Sequence, residues 1–136
     1  MIRYIKILYH FLQKPFFAIA SSFIVAVLCF IPNKEVPDII GDKTAHFITF
    51  AGLGFLWFLC TKNKIYTFIC LLLFGVFIEV GQYLLPESFY RFFELYDIFA
   101  DLYGVLIGYI LSRFYQIFTK IYFAEEQKLS KNKKVF

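Results

Sequence analysis

The sequence predicts an all-α membrane protein: a four-helix transmembrane bundle, preceded by a short interfacial helix and followed by a polar, basic C-terminal tail. Three observations carry this. The 136 residues are 60% hydrophobic and 18% charged, against about 45–50% apolar and about 25% charged in an average soluble domain. The apolar residues gather into stretches near the roughly 17–25 residues that cross a bilayer. Finally, the charged residues cluster at the ends of these stretches, in one short loop and in the tail.

Residues 2–14 place Ile5, Leu8, Phe11 and Leu12 at helical spacing beside Arg3, Lys6 and Lys14, the pattern of an amphipathic helix lying at the interface. His10 falls here, at headgroup level. The first span is expected from about Phe16 to Ile31, ended by Pro32; no small-residue cleavage site follows, so it reads as a retained helix and not as a signal peptide. The second covers about Lys43 to Cys60 and stops at Lys62-Asn63-Lys64. The third runs from Ile65 to Leu85, closed by Pro86. The fourth begins near Tyr96, continues to about Phe114 or beyond, and grades into the Lys-rich tail. The expected organisation is therefore an N-terminal segment over 1–15, a membrane domain over 16–118 and a tail over 119–136.

Orientation follows from the basic residues. Arg3, Lys6, Lys14, Lys62, Lys64, Arg113, Lys120, Lys128, Lys131, Lys133 and Lys134 fall on one side of this topology, and Lys34, Lys43 and Arg91 on the other. Such a bias puts both termini in the cytoplasm and turns the loops 32–44 and 86–96 outward. The net charge of +4 is thus membrane-flanking charge facing lipid headgroups, not a nucleic-acid surface. Cys29, Cys60 and Cys70 lie in apolar stretches without C-x-x-C spacing, as small buried hydrophobes and not as a disulfide frame or zinc site.

Two polar motifs interrupt the apolar chain. One is Asp42-Lys43-Thr44-Ala45-His46-Phe47; the other is Glu79-Val80-Gly81-Gln82 followed by Arg91, Asp97, Asp101, Gly104 and Gly108. The topology brings both to the outer side. Asp42 and His46 share a helical face one turn apart, as do Glu79 and Gln82. Asp97, Asp101, Gly104 and Gly108 form one stripe descending the fourth span. A carboxylate in the bilayer centre costs about 2.5–3.5 kcal/mol on insertion scales, so Glu79 and Asp101 need partners or a hydrated cleft. Gly104 and Gly108 have the small-x-x-x-small spacing that packs one helix closely on another. Lys34, Glu35, Asp38, Glu87 and Glu94 read as interfacial anchors, and Asp42 as a possible N-cap.

At these residues the chain resembles the VanZ-like family of small bacterial membrane proteins. The family pattern runs D-K-x-x-H-F, E-x-x-Q, then R followed about six residues on by D-x-x-x-N-x-x-G-x-x-x-G. Asp42, Lys43, His46 and Phe47, then Glu79 and Gln82, then Arg91, Asp97, Gly104 and Gly108 match in order; Asp101 stands where the family usually carries Asn. The resemblance implies a membrane fold, a place in a bacterial cytoplasmic (inner) membrane, and a link to the cell envelope and teicoplanin resistance.

Three functions remain open at this point. As a binding module, Lys43 and Arg91 would hold an anionic envelope lipid or a cell-wall precursor, with Asp42, Gln82, Asp97 and Asp101 completing the ligand pocket. As an enzyme on a lipid-linked envelope substrate, His46 or Glu79 would be the general base, with Lys43 or Arg91 stabilising developing charge. A variant of the enzyme gathers a divalent cation with His46, Glu79, Asp97 and Asp101, although no metal or other cofactor is assigned from the residues. As a structural protein, the polar network would only glue the bundle. The acids cluster on one side without a polar relay onward, which argues against ion transport.

Overall fold

In the computed structural model, residues 2–32 and 41–133 have a described backbone, and residues 7–32 and 41–126 described side chains. The chain is helical: α1 Ile2–Leu12, α2 Pro15–Cys29, α3 Asp42–Cys60, α4 Lys64–Tyr83 and α5 Leu95–Lys133, with one 3-10 turn at Glu87–Phe89 between α4 and α5. Lys34, Glu35 and Asp38 lie outside the described residues.

Among the described residues, α3, α4 and α5 are long and apolar enough to cross a membrane. The helix expected as the first span is shorter than read from sequence. α2 has 15 residues, about 22 Å of helix, against a hydrocarbon core of about 30 Å. It starts on Pro15, whose fixed φ suits the first helical position and whose missing N–H leaves no donor unmet there. The tail expected from residue 119 does not begin as a separate element, because α5 continues as helix to Lys133. Nothing between Leu95 and Lys133 is a proline, and its two glycines are absorbed by packing on α3.

Polarity is distributed inside out. Phe23, Leu73, Phe77, Tyr103, Phe114 and Phe118 are each more than half exposed on the outer surface, whereas His46, Glu79, Gln82, Asp97 and Asp101 are buried. A soluble monomer rarely shows apolar patches of that extent, so hydrocarbon is the solvent that this surface fits. Phe50, Leu53, Phe58, Leu71, Ile78 and Val105 form the apolar core between the helices.

The α3–α5 pair makes the most extensive interface of the bundle, and glycine explains how closely it packs. A methyl group on Gly104 would stand 2.5 Å from the Phe47 carbonyl oxygen, and one on Gly108 2.4 Å from that of Ala51. α2 is tied alongside by Trp57 Nε1, which donates to Ser22 Oγ at 2.9 Å. At the opposite end from the polar motifs, the α3–α4 corner is stapled. Lys64 Nζ donates to the carbonyls of Phe58 and Thr61, Thr67 Oγ1 donates to Thr61 Oγ1 at 2.7 Å, and Asn63 caps α4 by accepting from the Tyr66 N–H.

Candidate functional site: a carboxylate–imidazole cluster at one end of the bundle

The start of α3, the end of α4 and the start of α5 meet at one end of the bundle. α3 opens with Gly41 as N-cap at φ 75° and Asp42 as its first residue. The capping position therefore belongs to a residue with no Cβ penalty in the left-handed region, and the Asp42 carboxylate is left free to face its neighbours. One turn on, His46 points into the interior at 6% exposure.

His46 is held between two acids. Its Nδ1 lies 3.0 Å from Asp101 Oδ1 on α5, and its Nε2 lies 3.9 Å from Glu79 Oε1 on α4. Where Asp101 is ionised it only accepts; a neutral imidazole then donates its Nδ1–H to Asp101 and keeps the Nε2 lone pair on the Glu79 side. Glu79 is fixed in turn: its Oε2 accepts from the Glu94 backbone N–H at 3.0 Å, while Oε1 has no hydrogen-bond partner. Asp97 Oδ1 and Asp101 Oδ2 are likewise buried without a hydrogen bond.

Lys43 stands at the rim, and Arg91, its side chain 9% exposed, lies just inside it. Lys43, half exposed, bonds Glu94 at 2.5 Å and lies 3.7 Å from Asp97 Oδ1. Arg91 sits 3.6 Å from Asp42 Oδ1, and its Nε donates to the Ile31 carbonyl at 3.3 Å. Gln82 Nε2 donates to the Cys29 carbonyl at 2.9 Å, and beside it the Phe30 ring occupies the space that a methyl group on Gly81 would need. Arg91 and Gln82 thus bind the end of α2 to the cluster. Asp42, Lys43, His46, Glu79, Arg91, Asp97 and Asp101 converge, whereas the Gln82 amide is engaged by α2.

Two residues were not read as part of the site from sequence. Glu94, taken as an interfacial anchor, pairs with Lys43 by its side chain and with Glu79 by its backbone. Gly75 makes room for Asp101: a methyl group there would stand 2.6 Å from Asp101 Oδ2. The available signal was position, since Gly75 precedes Glu79 by four residues and so shares its helical face.

The inventory is acidic. Asp42, Glu79, Glu94, Asp97 and Asp101 outnumber Lys43 and Arg91, so the cluster offers proton acceptors and cation ligands in excess of anion-binding groups. Fold and site together define a polytopic helical membrane protein with a buried carboxylate–imidazole cluster at one end of its bundle. The chain belongs to the VanZ/LLP1 family, whose pattern it matches over residues 3–118. It is also similar to an uncharacterized protein of the fission yeast Schizosaccharomyces pombe, 36% identical over 96 residues, which cover 68% of this chain and 57% of the yeast protein. The chain thus spans little more than half the length of that curated relative. A eukaryotic relative means that the bacterial setting expected from sequence is not a property the comparison carries. No solved structure matches the chain.

Proposed function

We propose that this protein performs acid–base chemistry on the polar head of a lipid-linked substrate at one face of a membrane. The observation that carries the reading is the Asp101–His46 hydrogen bond of 3.0 Å. It orients a buried imidazole so that Nε2 is turned to Glu79 with its lone pair available. A base must be held in a defined tautomer and position to take a proton efficiently; Asp101 supplies both. His46 is the general base, Glu79 the acid–base partner at its Nε2 side, and Lys43 and Arg91 at the rim steady an anionic portion of the substrate.

A lipid fits the surroundings. An apolar groove between α3 and α5, lined by Ala51, Gly52, Phe55, Leu111, Phe114 and Phe118, begins five residues along α3 from His46, roughly 8 Å at ~1.5 Å per residue. An acyl chain in it would lie below a headgroup at the cluster. A relative in a fission yeast, whose envelope has no bacterial cell wall, favours a lipid over a glycopeptide-related ligand. The excess of Lys and Arg toward the opposite end of the helices supports a cluster at the outer face, with both termini cytoplasmic if α2 also crosses.

Capture of an anionic lipid without reaction is the second reading, favoured by two cations beside the cluster, half-exposed Lys43 and the more buried Arg91 next to half-exposed Asp42. The two separate by lipidomics of cells expressing wild type, His46→Ala or Lys43→Ala at matched protein levels. The acid–base reading expects one lipid class depleted and a product accumulated in wild type alone. Identical profiles in wild type and His46→Ala would overturn it. A lipid that co-purifies with His46→Ala but is lost from Lys43→Ala would support capture instead.

A further inference from the structure

The cluster contains a set of ligands that joins the His46 imidazole to two carboxylates, Asp42 and Asp97, which acid–base chemistry does not use. We propose that Asp42, His46 and Asp97 hold a divalent first-row transition-metal ion, of the Mn2+ or Zn2+ class, at the polar end of the bundle. One donor atom from each of the three lies within 4.8 Å of those of the other two. Ligand distances of about 2.0–2.2 Å put the donors of one tetrahedral ion about 3.3–3.6 Å apart, so closure by at most about 1.5 Å would complete the set.

A second observation points the same way. Asp97 is 2% exposed, and its Oδ1 is buried with no hydrogen-bond partner. A buried carboxylate oxygen left unpaired is costly. Lys43 at 3.7 Å from Asp97 Oδ1 and Arg91 at 3.6 Å from Asp42 Oδ1 stand beyond hydrogen-bond reach, so both carboxylates retain lone pairs for a metal. Lys43 is itself engaged by Glu94 and half exposed, free to turn outward when an ion binds.

The imidazole is prepared for the role. A metal-bound histidine usually donates its other ring N–H to a carboxylate, which fixes the tautomer and strengthens the ligand. Asp101 does this for His46 Nδ1, and is a positioning residue in this site. Two carboxylates and one imidazole suit Mn2+ or Zn2+ better than a thiolate-seeking ion. Three protein ligands also leave coordination positions open to water on the side of half-exposed Asp42.

The test is equilibrium dialysis of the full chain, in phosphatidylcholine nanodiscs, against Mn2+ and separately against Zn2+, with bound metal counted by elemental analysis. One ion per chain is expected for at least one metal. Asp42→Asn and Asp97→Asn should each weaken its binding at least tenfold, and His10→Ala should leave it unchanged. Asp101→Ala should weaken it about tenfold or more without changing the stoichiometry reached at saturation. Asp42 lies at the surface, so Asp42→Asn keeps the question open to decision even where Asp97→Asn fails to fold. Absence of stoichiometric uptake of both ions, or uptake as tight in Asp42→Asn as in wild type, would overturn the proposal. Metal is counted without substrate, so failure here leaves the acid–base reading standing, and failure of that reading leaves this site standing; an ion on His46 Nε2 would occupy its lone pair and pass the role of base to Glu79.

Discussion

Gly75 and Asp101 are complementary across α4 and α5: the carboxylate occupies the space where a side chain at 75 would begin, with Oδ2 2.6 Å from a built Cβ. The pocket that orients His46 is therefore shaped partly by the absence of a methyl group. Gly75→Ala should push Asp101 aside, break its bond to His46 and cost about 1–3 kcal/mol as an overpacked site. Gly52 has nothing within 4 Å of its built Cβ, so Gly52→Ala should be neutral or stabilising by up to ~1 kcal/mol. Thermal unfolding of both variants in detergent checks the contrast; equal melting temperatures would contradict it.

Asp101 accepts from His46 through one oxygen, and an amide oxygen can do the same. Asp101→Asn should therefore keep the fold and the imidazole orientation. Asp101→Ala should lose about 1–3 kcal/mol, the cost of leaving a buried donor unmet. Nitrogen NMR of the His46 ring reads the tautomer directly: Nδ1 stays protonated in the Asn variant and becomes mixed in the Ala variant.

Gly108 meets backbone, not flexible side chain, on the facing helix. Its built Cβ lies 2.4 Å from the Ala51 carbonyl oxygen and 2.7 Å from the Phe55 nitrogen, and neither can rotate away. Gly108→Ala should force α3 and α5 apart and destabilise by about 3 kcal/mol or somewhat more, exceeding Gly75→Ala, where only a carboxylate must move. Comparative unfolding in one detergent ranks them; the reverse order would refute the argument.

Trp57 is the sole tryptophan of the chain, and its Nε1–H donates to Ser22 on α2. Ser22→Ala should leave the indole N–H without its acceptor, cost about 1 kcal/mol and shift the Trp57 emission as α2 loosens. An unchanged spectrum and an unchanged melting temperature would show that α2 is held by its other contacts alone.

The polar cluster was legible because ionisable residues in apolar helices are expensive and therefore conspicuous, and because helical spacing alone aligns Asp42 with His46, Glu79 with Gln82, and Asp97 with Asp101. The bounds of α3 and the start of α5 could be read for a related reason: charge and glycine mark where apolar runs begin, whereas a polar helical end such as that of α5 carries no such mark. Gly75 was not legible, since a residue whose role is to be small gives no signal until its neighbour on another helix is known. Glu94 was hidden by its place before α5, where an acid is ordinary; half its contribution is a backbone N–H that every residue but proline carries. The first span, already a little short in the sequence, ends earlier still because Phe30 and Ile31, though apolar, form a turn whose two sides, the Cys29 and Ile31 carbonyls, accept from the Gln82 amide and the Arg91 guanidinium.

The stapled α3–α4 corner has a mechanical consequence. Lys64, Thr61, Thr67 and Asn63 lock one end of the two helices, whereas His46 and Glu79 face each other at the far end with 3.9 Å between them. The arms are long: fourteen residues separate His46 from Cys60, about 21 Å. A scissor motion of ~5° about that pivot would part the imidazole from the Glu79 carboxylate by roughly 2 Å, enough to admit a ligand oxygen between them. Leverage of that kind would open the interior without unwinding a single helical turn.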